Sequence, residues 1–142
     1  MVTSGIAIPK IIGVLEGIRL NGAAQKIASD IRYARELALS RHGTYGIEFF
    51  QDSNSYQIFQ LNGVTKTVVT DPYKGTTMTV NLSNIPHYSG VTITNVATCA
   101  GVGCLTNEIR FSFFGNPSDS LTISYTSPAS VTLTSNSETK VV

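Results

Sequence analysis

The chain has 142 residues, a net charge of +1 and only 13% charged residues, enough for one domain with its own core. That balance lacks the electrostatic footprint of a dedicated nucleic-acid binder. No apolar run reaches the roughly 18 residues that a membrane span needs, and Met1–Gly5 does not read as a signal peptide because Pro9 and Lys10 break the apolar stretch after it.

Residues from Ile8 to Gly43 read as one long amphipathic helix. Pro9 suits the first helical position, where its missing N–H costs nothing. Arg41 and His42 suit the last turn, and Gly43 suits the left-handed residue that ends a helix. The span is roughly 50 Å at about 1.5 Å per residue. Its halves do not share a face. At about 100° per residue, Leu20, Ala24, Ile27, Ile31, Ala34 and Ala38 form one apolar stripe. Ser29, Arg32, Tyr33, Glu36 and Ser40 lie opposite. In the first half the apolar stripe is Ile8, Ile11, Val14, Leu15 and Ile18, on the side that is polar later. Two arrangements satisfy this pattern. Either the first half projects from the domain, or a bend at Gly13, Gly17 or Asn21–Gly22, all weak helix formers, folds it back. For a projecting helix, Ile31→Asp unfolds the domain and Ile11→Asp leaves it folded. The pairs Lys26–Asp30 and Arg32–Glu36 have i,i+4 spacing and read as a solvated surface.

After Gly43 the apolar period switches from 3.6 to 2. Thr44–Gln51 and Tyr56–Leu61 read as a hairpin around Asp52–Ser55, and Asn62–Gly63 signals the next turn. Val64–Thr70, Thr76–Leu82, Val91–Ala97, Glu108–Phe114, Leu121–Thr126 and Val131–Ser135 follow, separated by Gly-, Pro- and Asn-containing turns. The expectation is an α+β fold, a long helix (1–43) on antiparallel sheet of about eight short strands (44–142), spaced as in a meander and forming one globular domain. Phe49–Phe50 and Phe113–Phe114 break strict alternation, so one ring of each pair is expected against the helix and the other under a loop.

Candidate chemistry is sparse. Cys99 and Cys104 are the only cysteines. A metal site would need further ligands, and His87 stands isolated. A redox pair more often has C-x-x-C spacing. The small Gly-rich loop between them suits a local disulfide best, implying an oxidising compartment, with free thiols as the other reading. His42 and His87 have no nucleophile or carboxylate partner at a telling spacing, so no catalytic residue is nominated. The acids Glu48, Asp52, Asp71, Glu108, Asp119 and Glu138 read as solubilising charges. No cofactor-binding loop is found, since Gly101–Val102–Gly103 lacks the strand–helix context.

Ile6–Ala7–Ile8–Pro9 resembles the exit of the hydrophobic N-terminal segment of type IV pilins and type II secretion pseudopilins. Ala23–Arg41, with Tyr33–Ala34–Arg35 and Ala38, resembles the helix of the GspH/FimT-like minor pseudopilins. Tyr45–Phe49, the hairpin through Tyr56, and Ile109–Arg110–Phe111 with Gly115 sit where that family has its first strands and a late I-x-F-x-x-x-G strand. The resemblance implies a structural subunit, held in the bacterial inner membrane by one span with a periplasmic domain, then extracted into a periplasmic or extracellular filament. It implies other pilins or pseudopilins, an inner-membrane assembly platform and a prepilin peptidase as partners. It also implies about 20 further apolar residues before Ile6, preceded by a short leader. Ile8, Ile11, Val14, Leu15 and Ile18 would form the filament-assembly face, and Ile27, Ile31, Ala34 and Ala38 would hold the sheet. The alternative is a filament-tip module for DNA or a secreted substrate. In DNA-binding members basic residues near the C-terminus contact DNA, whereas Ser135–Val142 carries only Lys140, so no nucleic acid is expected.

Overall fold

The computed structural model describes residues 8–97, 107–118, 130–135 and 138–142, leaving aside the side chains of residues 8–13, 97, 118 and 138. The loop through Cys99 and Cys104, the expected strand Leu121–Thr126 and the segment before Ile8 lie outside the described residues.

Helix α1 runs unbroken from Ile8 to Arg41, with no interruption at Gly13, Gly17 or Asn21–Gly22. At Gly22 the missing Cβ admits the Tyr88 ring, whose Cε1 would lie 3.1 Å from an added methyl. The helix stops one residue earlier than expected. His42, not Gly43, takes the left-handed conformation (φ 50°), and the Gly43 N–H returns to the Ala38 carbonyl at 3.3 Å. That bond spans five residues, as in a Schellman motif.

Nine strands follow among the described residues: β1 (Thr44–Phe50), β2 (Ser55–Asn62), β3 (Thr65–Val68), β4 (Thr79–Asn81), β5 (Val91–Ala97), β6 (Glu108–Phe111), β7 (Pro117–Ser118), β8 (Ser130–Ser135) and β9 (Glu138–Val141). They form two antiparallel sheets, as the α+β expectation allows, although their strand order is not that of a simple meander. The first has the order β3-β2-β1-β6-β7, with β4 also pairing β2; the second has the order β5-β8-β9. β3 pairs the Phe59–Asn62 end of β2 and β4 pairs its Ser55–Gln57 end, so two short strands share one edge. β5 leaves the first sheet, and β6 returns to pair β1 in the register Tyr45↔Phe111 to Glu48↔Glu108. Strand period reports which residues face a core, not which strand lies alongside, and this crossing is invisible to it.

The core lies where α1 covers both sheets. Ile27, Ala34, Ala38, Tyr45, Ile47, Phe49, Tyr56, Ile58, Val91, Val131 and Leu133 belong to one buried cluster. Strand β8 alternates strictly, Val131, Leu133 and Ser135 inward, the half-buried pattern of a sheet with one wet face. Asn54, in the β1–β2 turn at φ 52°, joins the sheets. Its side chain donates to the Val91 carbonyl at 2.7 Å and accepts from the Ile93 N–H at 2.9 Å. Those two bonds satisfy backbone groups that the edge strand β5 would otherwise leave buried and unpaired.

Candidate assembly surface

The two halves of α1 differ in what covers them. Ile27, Ala34 and Ala38 are fully buried, and Ile31 is partly buried at the margin of the core. Val14, Leu15 and Ile18 are 62, 45 and 62% exposed, on the same unbroken helix. The side chains of Ile8 and Ile11 lie outside the described residues. On the expected polar face Ser29, Arg32, Glu36 and Ser40 are exposed, while Tyr33 packs partly against the core.

A polar joint fixes the buried half. Asp30 is buried; Lys26 Nζ donates to its two oxygens at 2.8 and 2.6 Å, and the Tyr56 hydroxyl donates to Oδ2 at 2.6 Å. The Lys26–Asp30 pair is therefore not the solvated surface pair that its spacing suggests. It is one side of a three-residue contact that locks α1 to β2. Burial, then the neighbouring Asp30 charge and the hydrogen bond to it, push the Tyr56 phenol above its ordinary range. The phenol stays protonated and donates.

A second joint ties α1 to the turn after β6. Arg35 Nε donates to the Gly115 carbonyl at 3.0 Å. Gly115 has φ 76°, and a Cβ there would sit 2.9 Å from Leu39 Cδ2, so the turn needs both the conformational freedom and the small size of glycine. The turn residues Ser112–Gly115 leave the strand path after Phe111. Phe113 and Phe114 consequently stand 49 and 69% exposed, with neither ring in the core. The β1 pair behaves differently, Phe49 buried and Phe50 at the margin of exposure.

On the first sheet, Glu108 is buried and not a solubilising charge. It pairs with Lys66 and Arg110, and Lys66 reaches Glu48 at 3.1 Å. Burial of the Lys66 amine works to lower its pKa, but hydrogen bonds to Glu108 and Glu48 outweigh it and the value is raised. Lys66 also lies 5.1 Å above the Phe59 ring. These contacts join β3, β2, β1 and β6 across one face. They tie neighbouring strands together, and among the described residues no three His, Cys, Asp or Glu side chains gather as metal ligands. No described helix is long and apolar enough to cross a membrane.

Asp30 and Glu108 were legible only as charges, because nothing local reveals that Tyr56 or Arg110 will cover them. The exposed ring pair had one usable signal, the Gly–Asn–Pro turn immediately after it.

Comparison with known proteins places this geometry. Residues 23–142 match the family described as Type II transport protein GspH. No curated protein matches the chain in sequence. Among solved structures, the minor pseudopilin EpsH from the Type 2 Secretion System of Vibrio cholerae is similar, with a TM-score of 0.56 and 11% identity. The match covers 87% of this chain and 96% of that one, and at such identity it speaks for the fold. Proteins of this family are non-catalytic and generally structural, and the family match over most of the chain shows that it belongs to the GspH family of type II secretion minor pseudopilins.

Proposed function

We propose that the chain is a structural minor subunit of a type II secretion pseudopilus or a type IV pilus, and that it assembles through the N-terminal half of α1. The observation that carries this reading is the exposure of Val14, Leu15 and Ile18 on a helix whose other half is buried. Fully burying such side chains yields about 1.5–3 kcal/mol each. A lone subunit leaves much of that unrealised, and neighbouring helices would supply the apolar surroundings. In this reading residues 1–43 and 44–142 act as one unit: the sheets hold the helix, and the helix enters the filament. By their helical spacing in the sequence, Ile8 and Ile11 would belong to the same stripe.

The full-length form would be held in the inner membrane by about 20 apolar residues encoded before Ile6, long enough for one span. A prepilin peptidase would remove the leader, and an assembly platform would pass the subunit into a filament with a periplasmic or extracellular location. A pairing of Cys99 with Cys104 would suit that compartment, and a mass two protons lower than the reduced chain would report it.

The test is Val14→Asp with Ile18→Asp in the full-length gene, in a strain lacking its own copy. The expected result is a folded, membrane-inserted subunit that no longer enters the filament. Normal incorporation would contradict the reading, as would an upstream sequence in which Met1 is the natural start.

A further inference from the structure

The adjoining, mutually tilted rings of Phe113 and Phe114 form a second apolar surface, apart from the exposed half of α1. Their centroids are 4.1 Å apart with planes at 39°, and both are exposed. They sit on a closed turn: Ser112 N–H donates to the Asn116 carbonyl at 3.0 Å and Gly115 N–H to the Ser112 carbonyl at 2.7 Å. The turn is fastened to α1 through Arg35 and Leu39. The rings are thus a rigid extension of the helix, and little further ordering is needed for them to make a contact. Phenylalanine is among the aromatic residues enriched at the centre of protein interfaces.

The size of the patch identifies the occupant. A phenylalanine side chain buries roughly 150–250 Å², so two half-exposed rings offer on the order of 250 Å². A stable free complex takes about 800 Å² from each partner. The pair is too small to capture a partner from solution, yet adequate for one already held nearby, where the second contact forms at high effective concentration. A membrane is a poor fit. Arg35 and Leu39 lie about 40–46 Å along the helix from Ile8 at about 1.5 Å per residue, remote from the end that faces the bilayer in the proposed reading.

We infer that Phe113 and Phe114 are a docking point for a neighbouring pilin-type subunit, one whose own long helix is already packed beside α1. This inference rests on the filament reading above. A photoreactive phenylalanine analogue at position 114, in the full-length chain in its own bacterium, tests it. The expected result is a light-dependent cross-link to a pilin-type subunit that disappears when Ile18→Asp is added. Phe113→Ser with Phe114→Ser should lower incorporation about fivefold or more, the threshold effect of an interface side chain whose truncation matters, while shifting the melting temperature of the purified protein by under about 2 °C. The inference fails if the cross-link survives Ile18→Asp, joins lipid or a protein without a pilin helix, or does not form. It also fails if two copies of the purified chain cross-link as readily. Incorporation that Ile18→Asp leaves intact would overturn the filament reading as well. Incorporation that depends on Ile18, with no cross-link at 114, would overturn the ring pair alone.

Discussion

The two halves of α1 share one continuous backbone and both are rich in aliphatic side chains, yet among the described residues only the second half has its apolar stripe packed into the core. From Leu20 onward the helix is held by buried aliphatic contacts, by the Asp30–Tyr56 hydrogen bond and by the Arg35–Gly115 bond. Before Leu20 the apolar side chains Val14, Leu15 and Ile18 face outward. Helical propensity does not explain the contrast, since Gly13 and Gly17 weaken the first half and Gly22 the second. Most helical stability in proteins comes from tertiary packing of an apolar face. The difference teaches that the outward face is an apolar surface left exposed among the described residues.

The sharpest way to break the contrast is to place the same charge in each half. Ile27→Asp should unfold the protein, because an unpaired carboxylate at a fully buried position costs several kcal/mol, comparable with a total stability of about 5–15 kcal/mol. Ile18→Asp should change stability by no more than about 0.5 kcal/mol, as surface substitutions do. Thermal or urea melts of the two variants measure this, and equal losses would mean that the halves are equivalent. Ile27 makes the contrast cleaner than Ile31, which is only partly buried.

Removing the polar joint comes next. Tyr56→Phe should cost about 2 kcal/mol, the worth of a hydrogen bond to a charged acceptor, with Asp30 still held by Lys26. It should also change the alkaline profile. The Tyr56 and Lys66 pKa values are raised in the folded protein, whereas both groups titrate in the unfolded chain at about 10 to 10.4. Below that range both states keep the proton and the contribution to stability is complete. Above it the unfolded chain releases protons that the folded one retains, so stability falls as pH rises. Tyr56→Phe should flatten that fall in melts taken above about pH 10; an unchanged slope would remove Tyr56 as its cause. Gly115→Ala should cost about 1–2 kcal/mol for the left-handed backbone alone, more if Leu39 cannot yield. Its melt should loosen the contact between the helix and the β6–β7 turn while leaving the outward face unaltered.

The period of apolar residues revealed the helix and most strands because burial on one face repeats along a chain in a way that sequence records. The divided helix stripe was equally visible, being two such repeats out of phase. Pairing was not. β5 and β8 are 32 residues apart from end to start, and nothing in Val91–Ala97 distinguishes a partner in Ser130–Ser135 from one in Glu108–Phe111. Strand β9 escaped because Glu138–Val141 is short and polar, and its place beside β8 is set by tertiary contact. Asp30 escaped for a similar reason, as an i,i+4 partner on a helix looks the same whether water or Tyr56 lies above it.

The smallest expected effect is the absence of one. A DNA-binding tip module would need several cations on one surface to neutralise phosphates. In the sheet region Lys66 and Arg110 are engaged by Glu48 and Glu108, leaving Lys74 and Lys140 in separate segments. DNA affinity should stay in the non-specific range of about 10⁻⁴ to 10⁻⁶ M at physiological salt. A submicromolar value by anisotropy would reverse that.

Amide hydrogen exchange along α1, in the isolated subunit and in the filament, tests the central contrast most directly. In the isolated subunit, amides around Val14–Ile18 should exchange far faster than those of Ile27–Ala38, because only the latter require a core contact to open. Assembly should bring the first set to protection comparable with the second. Uniform protection along α1 in the isolated subunit, or fast exchange at Val14–Ile18 that persists after assembly, would contradict the account.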